Sequence, residues 1–550
     1  MDKRLLLAIA LSMGILWGWS ALYPVQPPAT ATAPTSAVSP SDSSPQPSSP
    51  AAPQAPAAAP ADAPTAPVQR SPEQEVVIDT PDARFFLSTW GGTLHQVKLK
   101  HRQFLLKEHD PESGITLVQT ERPEWAPLRT TFPKADFSLP DESVWTVEKT
   151  EPGKVIFRTE TDAVAIEKRY LAVADRYRLN LGISVKNKTE KPQVHGLTVH
   201  LYTQQDPHKK GGGFFDYASA NLAEAVCWVG DKAHRSTVES LGKDPLDFLG
   251  GVRWVAAGEK FFTIGVVPYP EKPPRDRRCG ARAPGRETGE AFLSMAPRTL
   301  GPGEITDYAF EIFAGPKFHS DLEKVQPGGE DAHLADVVDV TFAVLSRPML
   351  ALLKLFYRLS GNWGIAIILL TLFVKLVTFY PTQKTLLSAK KMQRLAPKLA
   401  ALRKKYENDK QKLGVETMNL YKAHGVSPFG GCLPSLIQMP IWIALFSTLN
   451  YAVELHRSSF LYIADLSAKD PYYVAPLLMG VVMFLQMRMS PTGTDPQQQK
   501  MMAIMMPIMF TGFSLFLPAG LSTYTLTSYL LGILQQLYVN WLDRRATAKA

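Results

Sequence analysis

Residues 359–381 read LSGNWGIAIILLTLFVKLVTFYP. Positions 359–374 carry no charge, and about 20 apolar residues of helix suffice to cross the ~30 Å hydrocarbon core of a bilayer. Charge-free apolar windows recur at 5–23, 429–453, 471–487 and 501–542. The mean hydropathy of −0.08 hides them, because a long polar insert is averaged with the spans. In lipid every backbone polar group needs an internal partner, so these windows read as helical spans and exclude a purely soluble enzyme.

Charge fixes the orientation. Residues 381–428 hold eleven Lys or Arg against Glu407, Asp409 and Glu416, a balance of +8 that equals the net charge of the whole chain. A basic segment between two spans belongs on the cytoplasmic side. Six spans then place Lys3, Arg4, the basic loop, Arg544 and Arg545 on one side, with both termini cytoplasmic. The expected order is a membrane anchor at 1–23, a Pro/Ala/Ser-rich tether at 24–74, a periplasmic β domain at 75–330 and an amphipathic interfacial helix region at 331–358. A second span follows at 359–381, a basic cytoplasmic helical hairpin at 382–428, and a third span at 429–453. A periplasmic loop at 454–471, a fourth span at 472–489, a cytoplasmic loop at 490–500, spans at 501–517 and 518–542 and a short basic tail at 543–550 complete it.

The tether reading rests on thirteen prolines within 24–67, where only Asp42 and Asp62 are charged. Within the insert, Tyr177, Leu179, Leu181, Ile183 and Val185 alternate with Arg178, Asn180, Gly182, Ser184 and Lys186, the period of a half-buried strand. Similar alternation at 197–201 and 308–312, with Gly/Pro turns between, predicts an antiparallel β-sandwich. Three cysteines are too few for a disulfide framework; a Cys227–Cys279 bridge is open to an insert in the periplasm, and spacing does not decide it.

No nucleophile elbow, phosphate loop or metal-ligand spacing occurs, and the windows contain no His, Asp or Glu, so neither an enzyme, a cofactor nor a metal site is expected. Lys375 stands out, since it lies about 9 Å inside the helix end marked by Pro381. An ammonium facing lipid there would cost about 2.5–3.5 kcal/mol. It either snorkels to the cytoplasmic headgroups or faces a wet cavity, for which Thr371, Gln438, Gln486, Thr525 and other polar span residues are available. Met392, Leu395, Leu399, Leu402 and Tyr406 form one face of an amphipathic helix in the basic loop, with Asn408-Asp409 ending it and capping a second helix to His424. Its cations are either a solvated face or a site for an anionic partner. Nine of the sixteen methionines fall within 479–509, either as ordinary packing or as an adaptable surface for varied apolar sequences.

Several motifs resemble the YidC family of bacterial inner-membrane insertases, related to the mitochondrial oxidase-assembly and chloroplast Albino proteins. They are Gly361-Asn362-Trp363-Gly364, Ser427-Pro428-Phe429-Gly430-Gly431-Cys432, Gln438-Met439-Pro440-Ile441, Asp465-Leu466-Ser467 and Asp470-Pro471-Tyr472-Tyr473. Pro476-Leu477-Leu478-Met479-Gly480, Pro518-Ala519-Gly520-Leu521 and Gln535-Gln536 extend the likeness over 347–542. The resemblance implies a five-helix core around a hydrophilic groove, open to cytoplasm and lipid, with one basic residue at its centre. Lys375 falls there, where many members carry Arg; the charge is kept and the bidentate fork is lost. The resemblance places the family's client-contacting positions on Thr371, Trp442, Met479 and Phe513; Thr525 stands where some members carry Tyr, and Gln438 is a further groove residue.

The resemblance also implies nascent membrane proteins as clients, the Sec translocon, the ribosome and the signal-recognition pathway as partners, and the lipid bilayer as surroundings. Lys390, Lys391, Arg394, Arg403, Lys404 and Lys405 would supply the ribosome or targeting contact. A polytopic transporter and a membrane-anchored periplasmic carbohydrate-binding protein are the alternative readings, the first weakened by the lack of an inverted repeat.

Overall fold

In the computed structural model, the alternating stretch that begins the β reading is a strand paired on both sides. The structure describes residues 73–548 apart from 108–109, 120–121, 141–142, 144, 174, 207–221, 272–274, 339–341, 408, 426–432 and 490–495. The expected anchor, nearly all of the tether, the Ser427–Cys432 motif and most of the 490–500 loop lie outside the described residues.

Strands in the first half of the domain are β1 (Glu75–Asp79), β2 (Ala83–Ser88), β3 (Thr93–Leu99), β4 (Thr116–Gln119), β5 (Arg129–Thr131), β6 (Thr146–Glu151), β7 (Lys154–Glu160), β8 (Val164–Ala172) and β9 (Arg178–Asn187). The second half holds β10 (Gln193–Gln204), β11 (Glu224–Val229), β12 (Lys232–Thr237), β13 (Leu246–Leu249), β14 (Val252–Gly258), β15 (Phe262–Pro268), β16 (Arg277–Arg282), β17 (Thr288–Leu300) and β18 (Ile305–Pro316). One sheet has the order β12-β11-β14-β15-β18-β9-β8-β7-β6, a second β13-β16-β17-β10-β5, and β1 to β4 form a meander. Leu179, Leu181 and Ile183 of β9 sit opposite Ile312, Phe310 and Tyr308 of β18, and all six are buried, as period two requires.

Strand β10 departs from the half-buried expectation. Leu197, Val199 and Leu201 are buried, but so are Thr198 and His200 on the opposite face. Their polarity is satisfied locally: Thr198 Oγ1 lies 2.8 Å from Ser294 Oγ, and His200 lies between Glu290 (2.7 Å) and Thr131 (2.8 Å). Burial alone would raise the Glu290 carboxyl, but hydrogen bonds from His200 and Arg282 outweigh it and hold it at about 2. Cys227 of β11 and Cys279 of β16 are bonded, with Cα atoms 6.0 Å apart, which joins the two larger sheets across their core.

The β core extends past the expected boundary at residue 330. Ala332, Leu334 and Val337, grouped from sequence with the amphipathic helix region, are buried in the β cluster, and that helix, α1 (Ala343–Ser360), starts later. Helix α1 is also more than an interfacial helix: Met349 and Leu353 are buried against the bundle while Val344, Leu355 and Leu359 stay exposed.

The remaining helices are α2 (Trp363–Arg394), α3 (Ala396–Lys405), α4 (Lys410–Ala423), α5 (Leu433–Tyr451), α6 (Val474–Met489), α7 (Pro496–Ser514) and α8 (Ala519–Ala548). Helix α2 does not stop at Pro381, because a proline removes a single i→i−4 bond and the following Gln, Lys, Leu and Ala residues favour helix. The break comes at Leu395, where Pro397 opens α3, so the amphipathic segment expected as one helix is divided. Met392, Leu395 and Leu399 still pack on Leu420 and Tyr421, and Asp409 caps α4 through Lys412 N (3.0 Å). Among the described residues α2 alone is long and apolar enough to cross a membrane by itself; residues 474–489 and 501–514 are shorter apolar helices.

The motifs that carry the resemblance have packing explanations within this chain. Asn362 Oδ1 accepts from Gly364 N (2.9 Å) and Ile365 N (3.2 Å), capping α2, while Gly361 supplies the positive φ that ends α1. Trp363 stacks on Tyr357 with ring centroids 4.0 Å apart. Asp470 accepts from Ala475 N (2.8 Å), Tyr472 N (3.0 Å) and Tyr462 OH (2.8 Å), which fixes the start of α6. The first amides of α8 donate to the 465–468 loop, Ala519 N to Ala468 O (2.7 Å) and Gly520 N to Leu466 O (2.8 Å).

The β domain is docked on the loop between α5 and α6. Gln103 Nε2 donates to the carbonyls of Val453, Glu454 and His456, and Lys260 Nζ to Asn450 Oδ1 (2.8 Å). Burial pushes the Lys260 ammonium down to about 8, against the opposing pull of Asp465, and lowers the His456 imidazole, whose ring lies 4.7 Å from that of Phe261.

Candidate functional site

Lys375 lies near the middle of α2, one turn after Thr371. The buried face of α2 runs through Ala366, Ile367, Leu370, Thr371, Val374 and Thr378, so a helical period puts Lys375 at its edge, half-buried. Among the described residues, no hydrogen-bond partner or carboxylate meets its ammonium. Thr371 is buried, and its hydroxyl donates to Ile367 O (2.7 Å) in its own helix. Thr525 does the same to Leu521 O (2.7 Å) and is half-buried. Both hydroxyls therefore keep only their acceptor lone pairs for a ligand.

Trp442 of α5 and Phe513 of α7 pack half-buried against one cluster, formed with Ile367, Leu370, Val374, Leu445, Leu521 and Tyr524. Trp442 is backed by Phe446, ring centroids 5.5 Å apart. Met479 of α6 is buried outside that cluster. Gly480 beside it gives α7 its close approach, since a Cβ there would lie 2.2 Å from Thr511 Oγ1. The methionine group divides: Met479 and Met483 face inward, whereas Met501, Met502, Met505 and Met509 are exposed along α7 with Ile504 and Ile508. Exposed Leu477, Leu478, Val481 and Leu485 make a similar outer surface on α6. Apolar surface of that extent is foreign to a monomeric soluble protein and suits lipid.

Tyr524 is the residue that sequence reasoning missed. Its hydroxyl accepts from Gln438 Nε2 at 3.4 Å, joining α8 to α5 beside the cluster, and the ring is buried. The only signal was a tyrosine within a span, whose hydroxyl needs a partner. Replacing Tyr524 with Phe is expected to cost no more than about 1 kcal/mol, because the bond is long; thermal unfolding in detergent checks this. Gln486 is half-buried, and Gly532 of α8 makes room for it: a Cβ there would lie 2.5 Å from Gln486 Nε2.

The basic residues expected to meet the ribosome or targeting factors occupy helix ends. Lys391 and Arg394 lie in the last turn of α2, and Arg403, Lys404 and Lys405 in that of α3; all five are exposed and complement the helix dipoles. Lys390 differs, being half-buried with Nζ 3.5 Å from Val539 O on α8. Among the described residues no group of three or more His, Cys, Asp or Glu is placed to hold a metal ion.

Comparison with known proteins covers both halves of the chain. The family described as 60Kd inner membrane protein matches residues 355–545, and the YidC periplasmic domain matches residues 75–352. The membrane protein insertase YidC of Citrifermentans bemidjiense is 34% identical, with 98% of this chain and 99% of the relative covered. That of Geobacter metallireducens is 33% identical, with 100% of each chain covered. A crystal structure of an active YidC insertase with its first transmembrane domain resolved aligns with 84% of this chain and 92% of its own, at 18% identity and a TM-score of 0.35. Full-length identity at this level to insertases of two organisms, with both family matches in the expected order, makes the chain a member of the YidC membrane protein insertase family, inner-membrane proteins with a periplasmic domain.

Proposed function

We propose that this protein inserts nascent membrane proteins into the bacterial inner membrane, taking the hydrophilic end of a client into a cytoplasm-open groove centred on Lys375 and releasing its apolar segment to lipid. The observation that carries the proposal is half-buried Lys375, whose ammonium meets no partner among the described residues, in a chain whose full-length relatives bear the insertase name. A cation left without a counter-charge at membrane depth is costly, and a visiting acidic tail would offset that cost. At about 4 Å the attraction ranges from about 1 kcal/mol in water to about 4 kcal/mol near a protein surface, enough to matter and weak enough to release. Half-buried Thr525 offers an acceptor and half-buried Trp442 and Phe513 guide the apolar part, while buried Thr371 and Met479 support the wall behind them. No nucleotide is needed for this step, and the protein acts as insertase and chaperone rather than as an enzyme.

Six spans with both termini cytoplasmic put α3 and α4 in the cytoplasm, where Lys391, Arg394, Arg403, Lys404 and Lys405 recruit the ribosome or the signal-recognition pathway. The β domain, in the periplasm, is the surface for the Sec translocon. The test is depletion of the endogenous insertase and rescue with Lys375→Arg, Lys375→Ala and Lys375→Glu, scoring insertion of a single-span client with an acidic translocated tail. Arg is expected to rescue, and Ala and Glu to lose at least tenfold in insertion at equal protein level. Glu working as well as Lys would remove the electrostatic step and leave Lys375 as a snorkelling anchor.

A further inference from the structure

The loop between α5 and α6 carries a tight hairpin whose composition is wrong for water. Phe460 and Ile463 exchange both backbone hydrogen bonds (2.8 and 2.9 Å), leaving Leu461 and Tyr462 at the tip. Leu461 has φ +53°, in the left-handed region that glycine or asparagine enters at least cost, and it is 82% exposed. A leucine there is unfavourable in water on both counts: its Cβ strains the turn and its side chain is largely exposed. Tyr473 repeats the pattern, with φ +57° and 45% exposure, beside Tyr472 at 70%.

These residues make one prepared surface. The rings of Tyr462 and Tyr472 lie 6.1 Å apart, and buried Asp470 holds both, accepting from Tyr462 OH and Tyr472 N. Asn362 Nδ2 donates to Ser459 O (3.4 Å), which ties the hairpin to the α1–α2 turn, where Leu359 and Ile365 are exposed. On the other side Tyr473 leads into α6, where Leu477, Leu478 and Val481 are exposed. The patch is thus continuous with the apolar outer surface of the bundle. Lys469 stands at the same end with its ammonium 5.2 Å from the Phe516 ring centroid. Tyrosine rings and a lysine on an apolar stem are the side chains that a headgroup boundary accommodates.

We infer that Leu461-Tyr462 and Tyr472-Tyr473 form an interfacial anchor that enters the lipid at the end of the bundle where the β domain docks, and so sets how deep the helices sit. Lipid absorbs the apolar tip that water penalises, and the docked loop transmits that depth to the β domain. The inference rests on the inner-membrane placement of the family and is independent of the role of Lys375.

The test uses the full chain in a Cys432→Ser background, with Leu461→Cys carrying an environment-sensitive dye, in vesicles of phosphatidylethanolamine and phosphatidylglycerol. Leu249→Cys, on an exposed strand of the β domain, is the aqueous control. Dye at 461 is expected to emit to the blue of the control and to be quenched at least twofold by lipids with a nitroxide near the headgroup. Emission matching the control, without quenching, would overturn the anchor and leave the tip as a surface for a protein partner. Quenching only by nitroxides at the chain ends would overturn the interfacial depth.

Discussion

Replacing Cys227 and Cys279 together with alanine is expected to lower the stability of the β domain by about 4 kcal/mol. The bond closes a loop with a sequence separation of 52 residues, and the chain-entropy relation for a loop of that length gives about that figure. Cys227 and Cys279 are fully buried in opposing sheets, so the exchange also leaves small voids in the core. Trp228 and Trp254, stacked at 5.7 Å on the strands beside Cys227, report the loss of structure by fluorescence. The measurement is urea unfolding of the full protein in detergent, with the wild type also tested under reducing conditions. A midpoint that moves in neither case would mean that sheet packing alone holds the domain. The bond also demands an oxidising compartment, in keeping with the periplasmic domain of the family.

Gly364→Ala is the second large effect expected. A Cβ at this position would lie 2.0 Å from Phe460 Cγ and 2.6 Å from its Cβ, the root of the side chain, so the ring cannot swing clear without moving the backbone. Overpacking of this kind costs about 1–3 kcal/mol or more, while exchanging glycine for alanine in a helix returns at most about 1 kcal/mol. The net effect is destabilising, read as a lower unfolding temperature in detergent. Phe460→Ala in the same chain should recover much of the loss, because the two residues share one space. Additive effects of the two substitutions would show that the contact is not the cause.

Some features were legible because their physics is local. Leu179, Leu181, Ile183 and Val185 point into the core as their alternation requires, and Asp409 caps α4 as its position before the helix suggests. Period two failed at β10 because Thr198 and His200 find partners on neighbouring strands, which makes a polar face buriable. Pro381 misled in another way: a proline weakens a helix by a few kcal/mol but does not end one whose next residues favour it.

At the candidate site the residue types were readable and their arrangement was not. Lys375 declared itself as a charge in an apolar run, and Trp442 and Phe513 meet on one cluster. The Gln438–Tyr524 contact spans 86 residues, and which side chain is opposite depends on how α5 and α8 cross. The same holds for the Gly364–Phe460 fit.

By itself the sequence determined the apolar segments, the alternating strands, the charge asymmetry and the family, since each depends on composition, on a period of a few residues or on a contiguous motif. Only the tertiary structure decided that Cys227 and Cys279 bond, that residues 332–337 belong to the β core, that α2 runs past Pro381, and that an exposed leucine tips the loop between α5 and α6. The first two are contacts between residues distant in the chain, which leave no periodic trace; the last two are local backbone states that apolar patterning does not specify.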